Sequence, residues 1–166
     1  MEFWKKIKIK KIIYASYGSV YGIKKEKHIN EKSSLLPLSL YNKVKMVTEK
    51  VIESYKDFLD IYIIRPATVC GYSKRMRLDV SVNILTFSAL NKKEITVFGG
   101  KQIRPNIHIE DMCNLYINLL TTNKIKPGTY NAGFENLSII EIAKKVQKFI
   151  PSKIKIIKDN NDPRSY

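Results

Sequence analysis

Ile61-Tyr-Ile-Ile64 is the stretch that most limits what this chain can fold into. Four apolar residues run without a polar break, so a strand built from them must be buried on both faces. That is the habit of a parallel sheet covered by helices. Val44, Val47, Val51, Ile52, Tyr55 and Leu59 recur at steps of three and four, and predict a helix from about Ser39 to Leu59 just ahead of that strand. Before the helix, Lys10-Lys-Ile-Ile-Tyr-Ala15 predicts another short strand. The pattern continues downstream with a helix over 80–91, a strand over 94–98, a segment over 107–111 leading into a helix to about Thr121, and strands over 129–132 and 153–157. Ser138-Ile-Ile-Glu141 is a capping box that opens a helix reaching about Phe149. Residues 23–37 and 71–79 are polar loops. Strands alternating with helices of ordinary length predict an α/β fold with a parallel sheet.

At 166 residues, with 44% hydrophobic and 27% charged content, the chain has the composition of a globular domain with a sizeable core. Its formal net charge of +15 raises the question of an anionic partner. The lysines are scattered over nearly every segment, and no concentrated basic patch is interleaved with aromatics. This pattern fits solvated faces and disfavours a nucleic-acid-binding protein. Cys70 and Cys113 occur without a C-x-x-C or paired histidines, which predicts no metal site and no disulfide framework and suits a reducing cytoplasm. No run approaches the roughly 18 apolar residues of a membrane helix. Met1–Lys11 is too charged for a secretory signal.

Two Tyr-x-x-x-Lys matches occur, Tyr21/Lys25 and Tyr41/Lys45. Residues four apart on a helix share a face. An ammonium beside a phenol favours the phenolate, which makes such a pair a general acid/base for a sugar hydroxyl. Spacing alone is uninformative, because a chain this rich in lysine produces one or two matches by chance. Context separates them. Tyr41 and Lys45 fall in the first turns of the predicted helix, whereas Tyr21 precedes Gly22 in a loop, where a spacing of four does not bring side chains together. His28 lies in a polar loop, and His108 and the two cysteines fit structural roles.

Further motifs follow in order. They are Tyr14-Ala-Ser16, Ser19-Val-Tyr-Gly22, Pro37-x-Ser-x-Tyr41-x-x-x-Lys45 with Glu49 one turn on, and Ile64-Arg-Pro-Ala-Thr-Val-Cys-Gly71. Val97-Phe-Gly-Gly100, Gln102-Ile-Arg-Pro-Asn-Ile-His-Ile-Glu-Asp111 and Asn131-Ala-Gly133 complete the set. Together they resemble the extended short-chain dehydrogenase/reductase family, specifically its NAD-dependent nucleotide-sugar epimerases and dehydratases, over about Lys10 to Tyr166. The resemblance implies a partial Rossmann-like parallel sheet with part of a small substrate-binding lobe, NAD as cofactor and a nucleotide-diphosphate sugar as substrate. It implies that Tyr41 is the acid/base and that Lys45 holds the nicotinamide ribose, with Arg65 and Pro66 beside the nicotinamide. Ser16 and Tyr17 then lie near the reacting hydroxyl. Ser19, Thr68, Asn83 and Arg104 fall on the substrate side, where the planar donor fork of Arg104 suits a diphosphate. Asp111 is placed to orient its helix by charge at the N-terminus.

The sequence departs from that pattern twice. The family sets a Ser or Thr five residues before the glycine of its Val-Tyr-Gly turn, and here that position is Tyr17, flanked by Ser16 and Ser19. The nucleotide-binding half is also missing: the seven glycines, 18, 22, 71, 99, 100, 128 and 133, contain no G-x-G-x-x-G. At the other end, Asp162-Pro-Arg-Ser-Tyr166 resembles a substrate-binding segment that normally continues. The expectation is one incomplete domain over 1–166, with the catalytic half of the core at about 10–66 and mixed core and substrate lobe at about 67–166. An upstream polypeptide would complete the sheet, and the whole would be a homo-oligomer. Gly18 and Ser19 stand where dehydratases of this family place acidic residues, which favours epimerisation. The competing expectations are a non-catalytic remnant or partner-binding half of a split enzyme, and a basic nucleic-acid-binding protein.

Overall fold

The structure, a computed structural model, describes residues 9–24 and 28–158. Lys25, the leader over 1–8 and the 162–166 tail motif therefore lie outside the described residues. The chain forms two compact units, one from residues up to Pro66 together with Cys113–Ala132, the other from Ala67–Met112 and the residues after Ala132.

In the first unit, β1 (Lys11–Ala15), β2 (Asp60–Pro66) and β6 (Gly128–Ala132) make a parallel sheet in the order β1-β2-β6. Ile12 stands opposite Ile61, and Ile64 opposite Tyr130. The 61–64 run is buried as its composition demands: none of its four residues exceeds 5% exposure. Ile61 and Ile63 pack with Leu59, Ile12, Tyr14, Ile52 and Tyr55 on one face. On alternate positions, the Tyr62 hydroxyl donates to Ile125 O at 2.9 Å. β2 runs through Arg65-Pro66, two residues past its expected end, because Asn131 and Ala132 of β6 continue the ladder beside it. A proline at the last rung removes only one donor.

Helix α1 (Leu40–Glu53) starts where Ser39 Oγ accepts from Asn42 N–H at 3.2 Å. It is shorter than the periodicity predicts. After Ser54 the chain tightens into three-residue bonds, such as Tyr55 N–H to Ile52 O at 3.0 Å and Phe58 N–H to Tyr55 O at 3.0 Å. That extra turn still delivers Tyr55 and Leu59 to the core, so the apolar spacing survives the change in helix type.

Two polar devices tie this unit together. Arg65 and Glu49 form a two-pronged ion pair, with Nε to Oε1 at 3.0 Å and Nη2 to Oε2 at 2.6 Å, their side chains 5% and 2% exposed. Arg65 Nη1 also donates to Tyr21 Oη at 2.9 Å and to Glu31 O at 3.3 Å. Tyr21 in turn donates to Asn131 Oδ1 at 2.7 Å. Burial disfavours the guanidinium, but the bonds to Glu49 and Tyr21 outweigh it and raise the Arg65 pKa above its ordinary value. At the opposite end of β2, Lys11 Nζ donates to Leu119 O at 2.6 Å and Thr122 O at 3.1 Å, placing a cation at the C-terminus of α3 (Ile109–Thr121).

The second unit holds β3 (Thr68–Cys70), α2 (Ser81–Lys92), β4 (Glu94–Phe98), β5 (Ile103–His108), β7 (Glu135–Ser138), α4 (Ile139–Phe149) and β8 (Lys153–Ile157). β4 and β8 pair in parallel. β3 and β5 also pair in parallel, and in the order β3-β5-β7 the last pair, β5 and β7, runs antiparallel with Arg104 opposite Leu137. β3 and β7 are too short to stand out as strands in sequence, whereas the strand-like alternation around His108 falls in β5. The capping box at Ser138 and Glu141 forms as expected. The core here is Leu85, Ala89, Ile95, Val97, Ile142, Ala143 and Val146.

Glycine is demanded at Gly71, with φ +110°, where a Cβ would stand 2.6 Å from His108 Nε2. Gly71→Ala is expected to lower the thermal midpoint, because both backbone and ring must move, whereas alanine at exposed Lys74 should leave it unchanged. Glu49→Gln leaves the buried Arg65 charge without its carboxylate, with an expected cost of about 3–5 kcal/mol in urea unfolding.

Candidate active site

The first unit brings four of the expected residues to one place, the carboxyl end of its parallel sheet, where open α/β sheets bind ligands. β1 ends at Ala15, and the Ser16 N–H donates to Ile64 O at 2.8 Å, holding the following turn against β2. Gly18 makes the approach close: a Cβ there would lie 3.1 Å from Pro66 O. A single 3-10 turn, Gly18–Tyr21, then buries Ser19, Val20 and Tyr21.

Helix α1 enters from the side. Lys45 Nζ donates to Ala15 O at 2.7 Å and sits 5.0 Å from the Tyr14 ring and 5.6 Å from the Tyr41 ring. The helical spacing therefore does what it promised: Lys45 lies beneath Tyr41 and is anchored to the strand end. Tyr41 is 60% exposed. The Tyr17 ring meets Tyr41 edge-on, with centroids 6.3 Å apart at 72°. Ser16 is buried, and its hydroxyl has no hydrogen-bond partner. A phenol, an ammonium and an unsatisfied hydroxyl on one sheet end make an arrangement able to move a proton.

Arg65, implied by the resemblance to face the cofactor, has its guanidinium occupied by Glu49, Tyr21 and Glu31. Its side chain is structural, which leaves the strand-end backbone and Pro66 on that side. Glu49 follows Tyr41 and Lys45 on the same helical stripe, but nothing local in the sequence says which cation meets it. Tyr21, set aside as a loop residue, proves to be part of this network.

In the second unit, Thr68 is half-buried on β3 opposite Asn106. Asn83 is buried and bridges a loop, accepting from Gly71 N–H at 2.9 Å and donating to Arg77 O at 2.8 Å. Its amide shapes the 71–83 loop. Arg104 is half-buried on β5. Asp111 lies in the first turn of α3 beside Glu110, as the charge argument expected. His108 Nδ1 accepts from Glu110 N–H at 3.3 Å. Among the described residues, no group of three His, Cys, Asp or Glu is placed to hold a metal ion, and no helix is long and apolar enough to cross a membrane.

Comparison with known proteins identifies the family. The model of the NAD dependent epimerase/dehydratase family matches residues 1–133. An uncharacterised UDP-glucose epimerase of Bacillus subtilis, YtcB, is 31% identical over 141 residues, covering 84% of this chain and 44% of that protein. A dTDP-D-glucose 4,6-dehydratase of Dictyostelium discoideum is 30% identical over 164 residues, covering 88% of this chain and 36% of that protein. Among solved structures, UDP-glucuronic acid 4-epimerase of Bacillus cereus in complex with NAD is 32% identical with a TM-score of 0.77, covering 93% of this chain and 52% of that one. The chain thus spans about half, or less, of the length of the relatives it matches. On the match of the family model to most of its length, the chain belongs to the NAD dependent epimerase/dehydratase family.

Proposed function

We propose that this chain supplies the catalytic and substrate-side portion of an NAD-dependent nucleotide-sugar epimerase. The observation that carries this is the seating of Lys45 between Ala15 O, Tyr14 and Tyr41 at the carboxyl end of the sheet. Tyr41 Oη accepts the proton of a sugar hydroxyl and later returns one. Lys45 holds positive charge beneath it. The unpartnered Ser16 hydroxyl, and the phenol of Tyr17 in place of a small hydroxyl, are the remaining groups for orienting the sugar. NAD, when bound, supplies the hydride acceptor. Thr68 and Arg104 are assigned to the diphosphate, with Arg104 as its charged donor. Gly18 and Ser19, rather than acids, follow Tyr17, which favours epimerisation over loss of water.

A second reading, a non-catalytic chain that binds a sugar nucleotide, is favoured by one observation. The Tyr17 ring, edge-on to Tyr41, fills space that a serine or threonine would leave to the substrate.

Two partner assignments accompany the proposal. β1 pairs only with β2 among the described residues, so its other edge is assigned to strands of an upstream polypeptide. Helix α1 displays Leu40, Val44, Val47 and Val51 on one stripe, each more than half exposed, and that stripe is assigned to a second copy of the protein. The free thiols Cys70 and Cys113 are in keeping with the cytoplasm.

Calorimetry with UDP-glucuronic acid tests substrate binding. Binding is expected, weakened about tenfold or more by Arg104→Met and unchanged by Tyr41→Phe. The same chain is expected to take up no NAD, and micromolar NAD binding would refute its assignment as a partial site. Val47→Glu is expected to shift gel filtration toward the monomer without changing the circular dichroism spectrum.

A further inference from the structure

In the second unit, a recess of about 300 Å³ opens between the β3-β5-β7 sheet and helices α2 and α4. None of Thr68, Asn83 or Arg104 lines it. Its walls are largely apolar, with Val82, Leu137, Ile142 and Val146 among them. One polar atom stands out. Asn106 is only 6% exposed, and its Oδ1 has no hydrogen-bond partner. Its Nδ2 donates to Arg104 O at 2.7 Å, which fixes the amide orientation and leaves the oxygen as the unsatisfied end. Buried amide oxygens are rarely left in this state.

We propose that this recess binds a small uncharged molecule with an apolar body and one N–H or O–H donor, which hydrogen-bonds to Asn106 Oδ1. The apolar walls call for the body of the ligand, and the orphaned acceptor calls for its donor. An anion is disfavoured because Glu135 and Asp111 both line the recess, and its lysine is already engaged: Lys145 Nζ lies 2.9 and 2.7 Å from the two carboxylate oxygens of Glu135. Cys70, also in the wall, donates its thiol to Ile107 O at 3.4 Å, and burial pushes its pKa up. It is a neutral wall group and a convenient reporter. The site does not depend on the NAD or sugar assignments.

The two cysteines provide the experiment. Iodoacetamide labelling of the whole chain, followed by mass spectrometry, reads half-buried Cys70 against exposed Cys113 as an internal control. Indole, which carries one N–H donor, is expected to slow Cys70 labelling in a saturable way and to leave Cys113 unchanged. 1-Methylindole keeps the ring but carries a methyl in place of the donor hydrogen, and is expected to protect about fivefold more weakly, the worth of one neutral hydrogen bond. Asn106→Leu is expected to erase the difference between the two probes, and Val146→Trp to abolish protection by filling the recess. Absence of Cys70 protection by indole up to its solubility overturns the proposal, as does equal protection by the two probes. The probe comparison on the unmodified chain decides even if a variant fails to fold.

Discussion

The buried pairing of Arg65 with Glu49 is the constraint on which the first unit depends. β2 is apolar on both faces until its end, where it carries a guanidinium into the interior, and only α1 offers a carboxylate to meet it. Two parallel hydrogen bonds fix both distance and rotation, so α1 has one angular setting against the strand. Tyr41 and Lys45 stand two turns and one turn before Glu49 on the same stripe. The ion pair therefore aims them: with Glu49 pinned to Arg65, Lys45 falls onto the end of β1 and Tyr41 rises above it. Arg65 thus orients the helix that carries Tyr41 and Lys45.

A strong interaction in this position is a choice with consequences. Such pairs gain less than their geometry suggests, because both ions lose water, and apolar replacements of similar volume are often as stable. What the pair gives here is a single register. Tyr21 and Asn131 extend it to the 3-10 turn and to β6, so three strand or turn segments share one polar centre in an otherwise aliphatic unit.

Much of the architecture was legible in the sequence because it follows from local pattern. The 61–64 run, the stripe on α1 and the capping box at Ser138 each state their structure within a few residues, and each formed. The antiparallel β5–β7 pairing was not legible. The segment ending at His108 alternates like a strand, but β7 has only four residues, and nothing local in either says that they pair or in which direction. At the site, the Tyr41–Lys45 contact could be read from helical spacing. The roles of Arg65 and Asn83 could not, because nothing local tells whether a polar side chain turns toward a ligand or toward its own fold. Asn83 bridges residues 71 and 77, and Arg65 reaches back to helix α1.

Lys45 has three protons on its ammonium, and Ala15 O takes one of them. Two donors remain, on a nitrogen whose position is held by the end of a strand rather than by a flexible stem. The cation beneath Tyr41 thus has a fixed origin and a fixed remaining capacity for hydrogen bonds. An arginine there would carry the same charge, but its rigid fork cannot point one donor down at a carbonyl and two up from a single atom. Lysine at this position is a matter of geometry before it is a matter of charge.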